Sequence, residues 1–334
     1  MSFLSFLGSR LIKALLVILC VIIINFFLIR MAPGDPASVL AGQSGSSDPA
    51  YVEQLRSDFG LDKPLLVQLG IYLKGIANLD LGYSYRNHLP VMTLILQRLP
   101  ATLLLMATGF LFSLLFGVLL GVVAAHARYS DRHRWVDSVV TASSLVLYAT
   151  PLFWLALMAI LLFSVILGWL PGFGMENIGA GHTGWARFKD IALHLILPTI
   201  TLGSFFMAMQ VRLARGSMLE VINMDFVKTA RAKGVHPARI IRIHVLRNAM
   251  LPVITFAGVQ LGQMAGGAVL TETVFAWPGI GRLMFNALLQ RDYQVLLGVF
   301  LFTSIMVVIF NLLTDIIYRF VDPRIAAGAQ PGGS

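Results

Sequence analysis

Residues 225–252, DFVKTARAKGVHPARIIRIHVLRNAMLP, concentrate charge that the rest of the chain avoids. Lys228, Arg231, Lys233, Arg239, Arg242 and Arg247 are cations, Asp225 is a lone carboxylate, and no nucleophile–base or metal-ligand spacing accompanies them. The chemistry open to such a set is electrostatic, either charge-assisted hydrogen bonds to acidic groups on a partner or plain solvation of a basic connector. Local signals say how the set is presented. Asp225 stands where a carboxylate complements a helix N-terminus and Lys233 falls in the last turn. Gly234 can take the left-handed conformation that stops a helix, and Pro237 suits the first turn of the next one. The spacing predicts two short helices joined by a glycine-containing turn. A connector that merely obeys the bias of basic loops toward one side of a membrane would share this composition.

Elsewhere the chain lacks catalytic patterns. Glycine is never followed by lysine, so there is no phosphate-cradling loop of its own. Gly279-x-Gly281 lacks the third glycine and the strand of a dinucleotide site and reads as a turn. There is no H-E-x-x-H and no Cys/His cluster, so no metal site is expected. His88, His126, His133, His182, His194, His236 and His244 fall mostly in loops or at helix ends. Cys20, the sole cysteine, lies in the first apolar run and has no internal partner for a disulfide. Asp315 and Glu272 sit only at span ends, whereas proton-driven carriers and voltage sensors need buried charges. The energy source is therefore expected on another protein.

The elements that carry these residues are membrane spans. Of the 334 residues, 57% are hydrophobic and 12% charged, against roughly 25% charged in a soluble domain. Windows long enough to cross about 30 Å of hydrocarbon run at 11–29, 99–125, 137–168, 191–211, 250–271 and 296–318. Six spans are expected in an all-α integral membrane protein, the third kinked or divided at Pro151. The first run is too long for a signal core and lacks a clear cleavage site after it, so it reads as an uncleaved helix. Placing both termini, loop 126–136 and loop 212–249 on one side puts the whole formal +9 there. The positive-inside rule makes that side the cytoplasm, and the basic pI reports topology and anionic-lipid contact rather than nucleic-acid binding.

Outside the spans, residues 30–98 form the longest external segment. It holds the turn Met31–Pro36 and a polar stretch 42–49, then a helix from Tyr51 to Gly60 with Ser47 and Asp48 as capping candidates, and an amphipathic helix from Pro64 to Ala77. Loop 169–190 reads as irregular. Leu283–Leu289 is too short to span and predicts a re-entrant or interfacial helix. No internal repeat is visible. The expected division is residues 1–30 as cytoplasmic end and first helix, 31–98 as periplasmic segment, 99–324 as transmembrane domain and 325–334 as a flexible cytoplasmic tail.

Thr229-Ala230-Arg231-Ala232-Lys233-Gly234, followed by Leu246–Pro252 (LRNAMLP), resembles the ATPase-docking loop of bacterial ABC importer permeases of the dipeptide/oligopeptide/nickel branch. APGDP at 32–36, GLDKPL at 60–65, LDLG at 79–82, GWLP at 168–171, LTETVFAWPGIG at 270–281 and RDY at 291–293 are similar to that branch in the same order. Lys228-Thr229-Ala230 stands where the general importer loop begins Glu-Ala-Ala, and Gly234 lies further from Pro252 than in sugar-type importers; the peptide/nickel branch shares both departures. The resemblance implies a type I importer permease fold in the bacterial inner membrane, with both termini cytoplasmic and a coupling helix between spans four and five. It implies a second homologous permease, two cytoplasmic ATPases that hold the ATP and Mg, and a periplasmic binding protein. This chain itself would carry no cofactor. Short peptides are the default solute; nickel chelates, glutathione or another small solute, and, from a different class, a secondary carrier, are the alternatives. Tyr148, Gln210, Gln260 and Gln263 are expected along the translocation path, or else in hydrogen bonds between helices. Glu272, Trp277, Pro278, Gly279 and Gly281 are expected at the external mouth.

Overall fold

The structure, a computed structural model, describes residues 3–31, 37, 38, 41, 48–58, 60–129 and 133–321. The Ala32–Pro36 turn, residues 42–47 of the polar stretch and the tail from Asp322 lie outside the described residues. The helices are α1 (Phe3–Met31), α2 (Pro49–Asp58), α3 (Leu65–Ala77), α4 (Val91–Tyr129), α5 (Arg134–Ala149) and α6 (Leu152–Ala159). They continue with α7 (Gly184–Val221), α8 (Asp225–Ala232), α9 (Pro237–Arg239), α10 (Leu246–Val274), α11 (Ile280–Gln290) and α12 (Tyr293–Val321). Strands β1 (Tyr83–Ser84) and β2 (Leu89–Pro90) pair antiparallel. π-helical turns occupy Ile160–Ile166 and Ile240–Val245.

Among the described residues, five helices are long and apolar enough to span, at Gly8–Leu28, Val91–Tyr129, Gly184–Val221, Ile240–Val274 and Tyr293–Thr314. The sixth is the pair Arg134–Ala149 and Leu152–Ile166, bent by 104°. The bend follows from two residues. Pro151 has no N–H to continue the ladder, and it pushes Thr150 into extended backbone at ψ 128°. The hydroxyl of Thr150 donates to the carbonyl of Val146 at 2.7 Å, closing the end of α5. Two boundaries differ from the sequence reading. Loop 169–190 is irregular only as far as Thr183, because α7 begins at Gly184, and α4 begins at Val91, inside the expected external segment. Charged residues such as Arg98, Arg187 and Asp190 cut the apolar windows short, while the helices continue through them.

The chain divides into two units. The first comprises Leu103–Trp277 and the chain from Ile309 onward. In it α7 packs against α5, α6 and α10. The contact of α7 with α4 is close because Gly117 and Gly121, four residues apart, lie on one helix face. A Cβ at Gly117 would sit 2.4 Å from Cβ of Gln210, and one at Gly121 2.7 Å from Cβ of Ala214 and 2.8 Å from the Val211 carbonyl. Small residues at this spacing let helix backbones meet where lipid supplies no hydrophobic drive.

The second unit comprises the residues up to Thr102 together with Pro278–Val308. Tyr72 of α3 stacks on Phe26 of α1 at 5.7 Å, and burial pushes its hydroxyl up to about 12. Gln68 donates to the carbonyls of Leu61 and Lys63 at 3.2 and 2.7 Å, fixing α3 to the turn before it. Asp48 caps α2 by accepting from the Ala50 N–H at 2.9 Å. The RDY segment marks a helix junction. Arg291 closes α11 in left-handed backbone at φ 54°, and Asp292 opens α12 by accepting from the Val295 N–H. Asp292 also receives the Ser84 hydroxyl at 2.5 Å, which ties the hairpin to this junction.

Candidate functional site: the basic loop between α7 and α10

α7 runs to Val221, ten residues past its apolar window, and ends in a turn through Asn223 and Met224. α8 then covers the motif. Asp225 is its first residue, and the Lys228 ammonium reaches the carboxylate at 2.8 Å, holding that carboxyl below its usual range. The helix is two-faced. Val227 and Ala230 are buried against Met218, Val221, Ile222, Ile240, Val245 and Ala249, while Phe226, Lys228, Thr229, Ala232 and Lys233 are exposed. Ala230, within the motif that resembles the ATPase-docking loop, packs against this chain's own helices.

The helix end is a paired-bond cap. The Val235 N–H donates to the carbonyl of Ala230 at 3.2 Å and the Gly234 N–H to that of Arg231 at 2.9 Å, with Gly234 at φ 75°. This is the Schellman arrangement, in which a left-handed residue lets two terminal carbonyls find donors. A Cβ built on Gly234 meets nothing within 4 Å, so the demand for glycine there comes from backbone conformation and not from space. Val235 folds back onto the cluster under the helix. α9 and the π turn then carry the chain into α10.

Two cationic contacts brace the loop. The Arg231 guanidinium lies 5.0 Å from the ring centroid of Tyr129 at the end of α4, and it also donates to the Ile222 carbonyl at 3.4 Å. Arg231 braces its own chain yet stays exposed, so it stands with Lys228 and Lys233 among the exposed cations of the motif. Arg215 of α7 forks onto the buried Asp137 of α5 at 2.5 and 2.8 Å. The sequence reading assigned no bracing role to Tyr129, Asp137 or Arg215. Asp137 had a visible signal, a carboxylate at the edge of an apolar run where only a paired charge is tolerated.

The four residues expected along the path separate into two groups. Gln210 and Gln260 have no exposure; Gln210 Nε2 donates to Gln260 Oε1 at 2.8 Å, and Gln260 Nε2 donates to Ser113 Oγ at 2.6 Å. They join α4, α7 and α10 inside one chain, the role in helix bonding that the sequence left open. Tyr148 and Gln263 are exposed. The Tyr148 ring stacks on Phe205 at 5.7 Å, and the Arg212 guanidinium sits 4.8 Å from its centroid.

The residues expected at the mouth are enclosed. Glu272 and Trp277 have no exposure, Gly279 and Gly281 are buried and Pro278 is half-buried. The end of α10 repeats the paired-bond cap. Trp277 N–H bonds the Glu272 carbonyl at 2.9 Å and Ala276 N–H that of Thr273 at 3.3 Å, with Ala276 in left-handed backbone at φ 53°. Irregular backbone near a membrane requires such enclosure by protein.

Residues 117–327 match the family described as the binding-protein-dependent transport system inner membrane component, and residues 3–106 match the N-terminal region of such components. The chain belongs to this family of inner-membrane transport components. A putative peptide transport system permease protein of Brucella abortus (strain 2308) is 40% identical over 317 residues, covering 95% of this chain and 97% of the relative. The di/tripeptide transport system permease protein DppB of Pseudomonas aeruginosa (strain UCBPP-PA14) is 40% identical, covering 96% and 98%. The dipeptide transport system permease protein DppB of Escherichia coli (strain K12) is 39% identical, covering 91% and 93%. A chain of the MetNI methionine ABC transporter, solved in inward-facing conformations, superposes with a TM-score of 0.56 at 19% identity, over 69% of this chain and 97% of that one. This last likeness is one of fold.

Proposed function

We propose that this chain is one of two permease subunits of an ABC importer for short peptides, working without a cofactor of its own. The observation that carries the reading is α8, a surface helix anchored by Val227 and Ala230 and stopped by a left-handed glycine, presenting Lys228, Thr229, Ala232 and Lys233 outward. Such a helix suits insertion into a cleft of a cytoplasmic ATPase, one per permease, where ATP and Mg would be held. Closure of the ATPases would rock the permeases between inward- and outward-facing states as rigid bodies, while a periplasmic binding protein supplies solute from outside. The basic loop and both termini then face the cytoplasm. Peptide as the solute is supported by the names of the relatives.

The test is uptake of labelled dipeptide by the complex reconstituted with its ATPases and binding protein. Uptake that needs ATP and the binding protein supports the reading. Uptake driven by an ion gradient without ATP defeats it in favour of a secondary carrier, and uptake only of nickel chelate or glutathione changes the solute. Cysteines placed at 148 and 263 should react with a polar thiol reagent in some nucleotide state, and cysteines at 210 and 260 in none. The reverse pattern would dismiss this division of the path.

A further inference from the structure

Where α4, α5 and the π turn meet, the first unit carries a cavity of about 470 Å³. Its walls are Val122, Val123, Ala127, Val136, Ala238 and Ile241, and its polar lining is His126, His133 and Arg242, with no carboxylate among the described lining residues. The nearest acidic side chain along α5, Asp137, is already forked by Arg215. The wall is therefore apolar, and its polar groups are one guanidinium and two imidazoles. Its place along the chain is also specific. Val122 and Val123 close the apolar run of α4, whereas His126, His133 and Arg242 belong to the basic end of the spans. An occupant that matches this sequence of surfaces needs a hydrocarbon portion toward the membrane and an anion toward the basic side.

We propose that this cavity is a binding site for one anionic phospholipid, its phosphate held by Arg242 with His126 and His133 and the start of an acyl chain laid on Val122, Val123, Val136 and Ile241. A zwitterionic lipid fits the wall equally well but brings an ammonium toward the same cations, so the site selects for net charge. Each basic group near an anionic surface contributes about fivefold in affinity, ~1 kcal/mol. The π turn that lines the cavity continues from α9 and so from the cap at Gly234. The lipid thereby supports the loop whose outward helix is read as the coupling element. Lipid retention is measured without transport, so its failure is distinct from a failure of the coupling role.

The complex is purified with its partner subunits from membranes holding equal phosphatidylglycerol and phosphatidylethanolamine, and retained lipid is counted by native mass spectrometry. Wild type should retain phosphatidylglycerol preferentially. Arg242→Gln should lower that preference about fivefold, His126→Gln should lower it less, and Arg247→Gln, at an exposed cation outside the lining, should leave it unchanged. Equal preference in Arg242→Gln and His126→Gln overturns the site. An equal loss in Arg247→Gln also overturns it, because the enrichment would then be general surface charge. Loss of ATPase subunits from Arg242→Gln with the lipid pattern intact would assign the cavity to a protein contact instead.

Discussion

The Arg231 guanidinium lies over the ring of Tyr129, 5.0 Å from its centroid, so a residue of the motif helix is anchored on the end of α4. A cation over an aromatic face contributes about 0.5–1 kcal/mol at an exposed site. The pair sets how α8 is aimed more than whether it forms. Tyr129→Phe should therefore keep ATPase co-purification near wild type, and Tyr129→Ala and Arg231→Glu should each reduce it severalfold at unchanged membrane abundance. Retention by Tyr129→Ala equal to wild type would show that the stack does not orient the helix.

Gly234 is constrained by φ alone. A β-carbon costs roughly 1–2 kcal/mol in left-handed backbone, and asparagine bears that conformation better than a branched residue. Gly234→Val should lower ATP-dependent uptake strongly while leaving the protein in the membrane, and Gly234→Asn should restore most of it. Equal loss in both variants would point to the missing Cβ, not the turn, as the requirement.

Gln210 and Gln260 form a mutually dependent pair. Removing one partner leaves a buried polar group unsatisfied, at about 1–3 kcal/mol, whereas replacing both with apolar groups can be nearly neutral. Thermal stability in detergent should fall in Gln260→Leu and recover in part in the double variant Gln210→Leu/Gln260→Leu. Strictly additive losses would contradict the coupling.

Gly121 faces backbone rather than a yielding side chain, with the Val211 carbonyl and the Arg215 N–H within 3.1 Å of a Cβ built there. Overpacking of this kind costs about 1–3 kcal/mol. Gly121→Val should lower the yield of folded protein severalfold, and Gly216→Ala, where nothing lies within 4 Å, should not. A harmless Gly121→Val would mean that α4 and α7 are not held in this close contact.

The sequence by itself determined the spans, the break at Pro151 and the two short helices around Gly234. Insertion depends on local hydrophobicity, and caps depend on a few adjacent residues. It also exposed the motif order by which the family could be anticipated. What it left ambiguous were matters of facing. Ala230 and Gly234 stand in one motif, yet one is packed against the chain's own core and the other is an open turn, because helix phase and tertiary packing decide which side is covered. Gln210 and Gln260, fifty residues apart, meet only through the packing of α7 on α10, and nothing in either local sequence marks them as partners. The Gly117–Gly121 spacing was there to be read, but its partner surface was not. Ala276 takes a left-handed backbone that alanine does not favour, and only tertiary structure can hold a residue against its own preference.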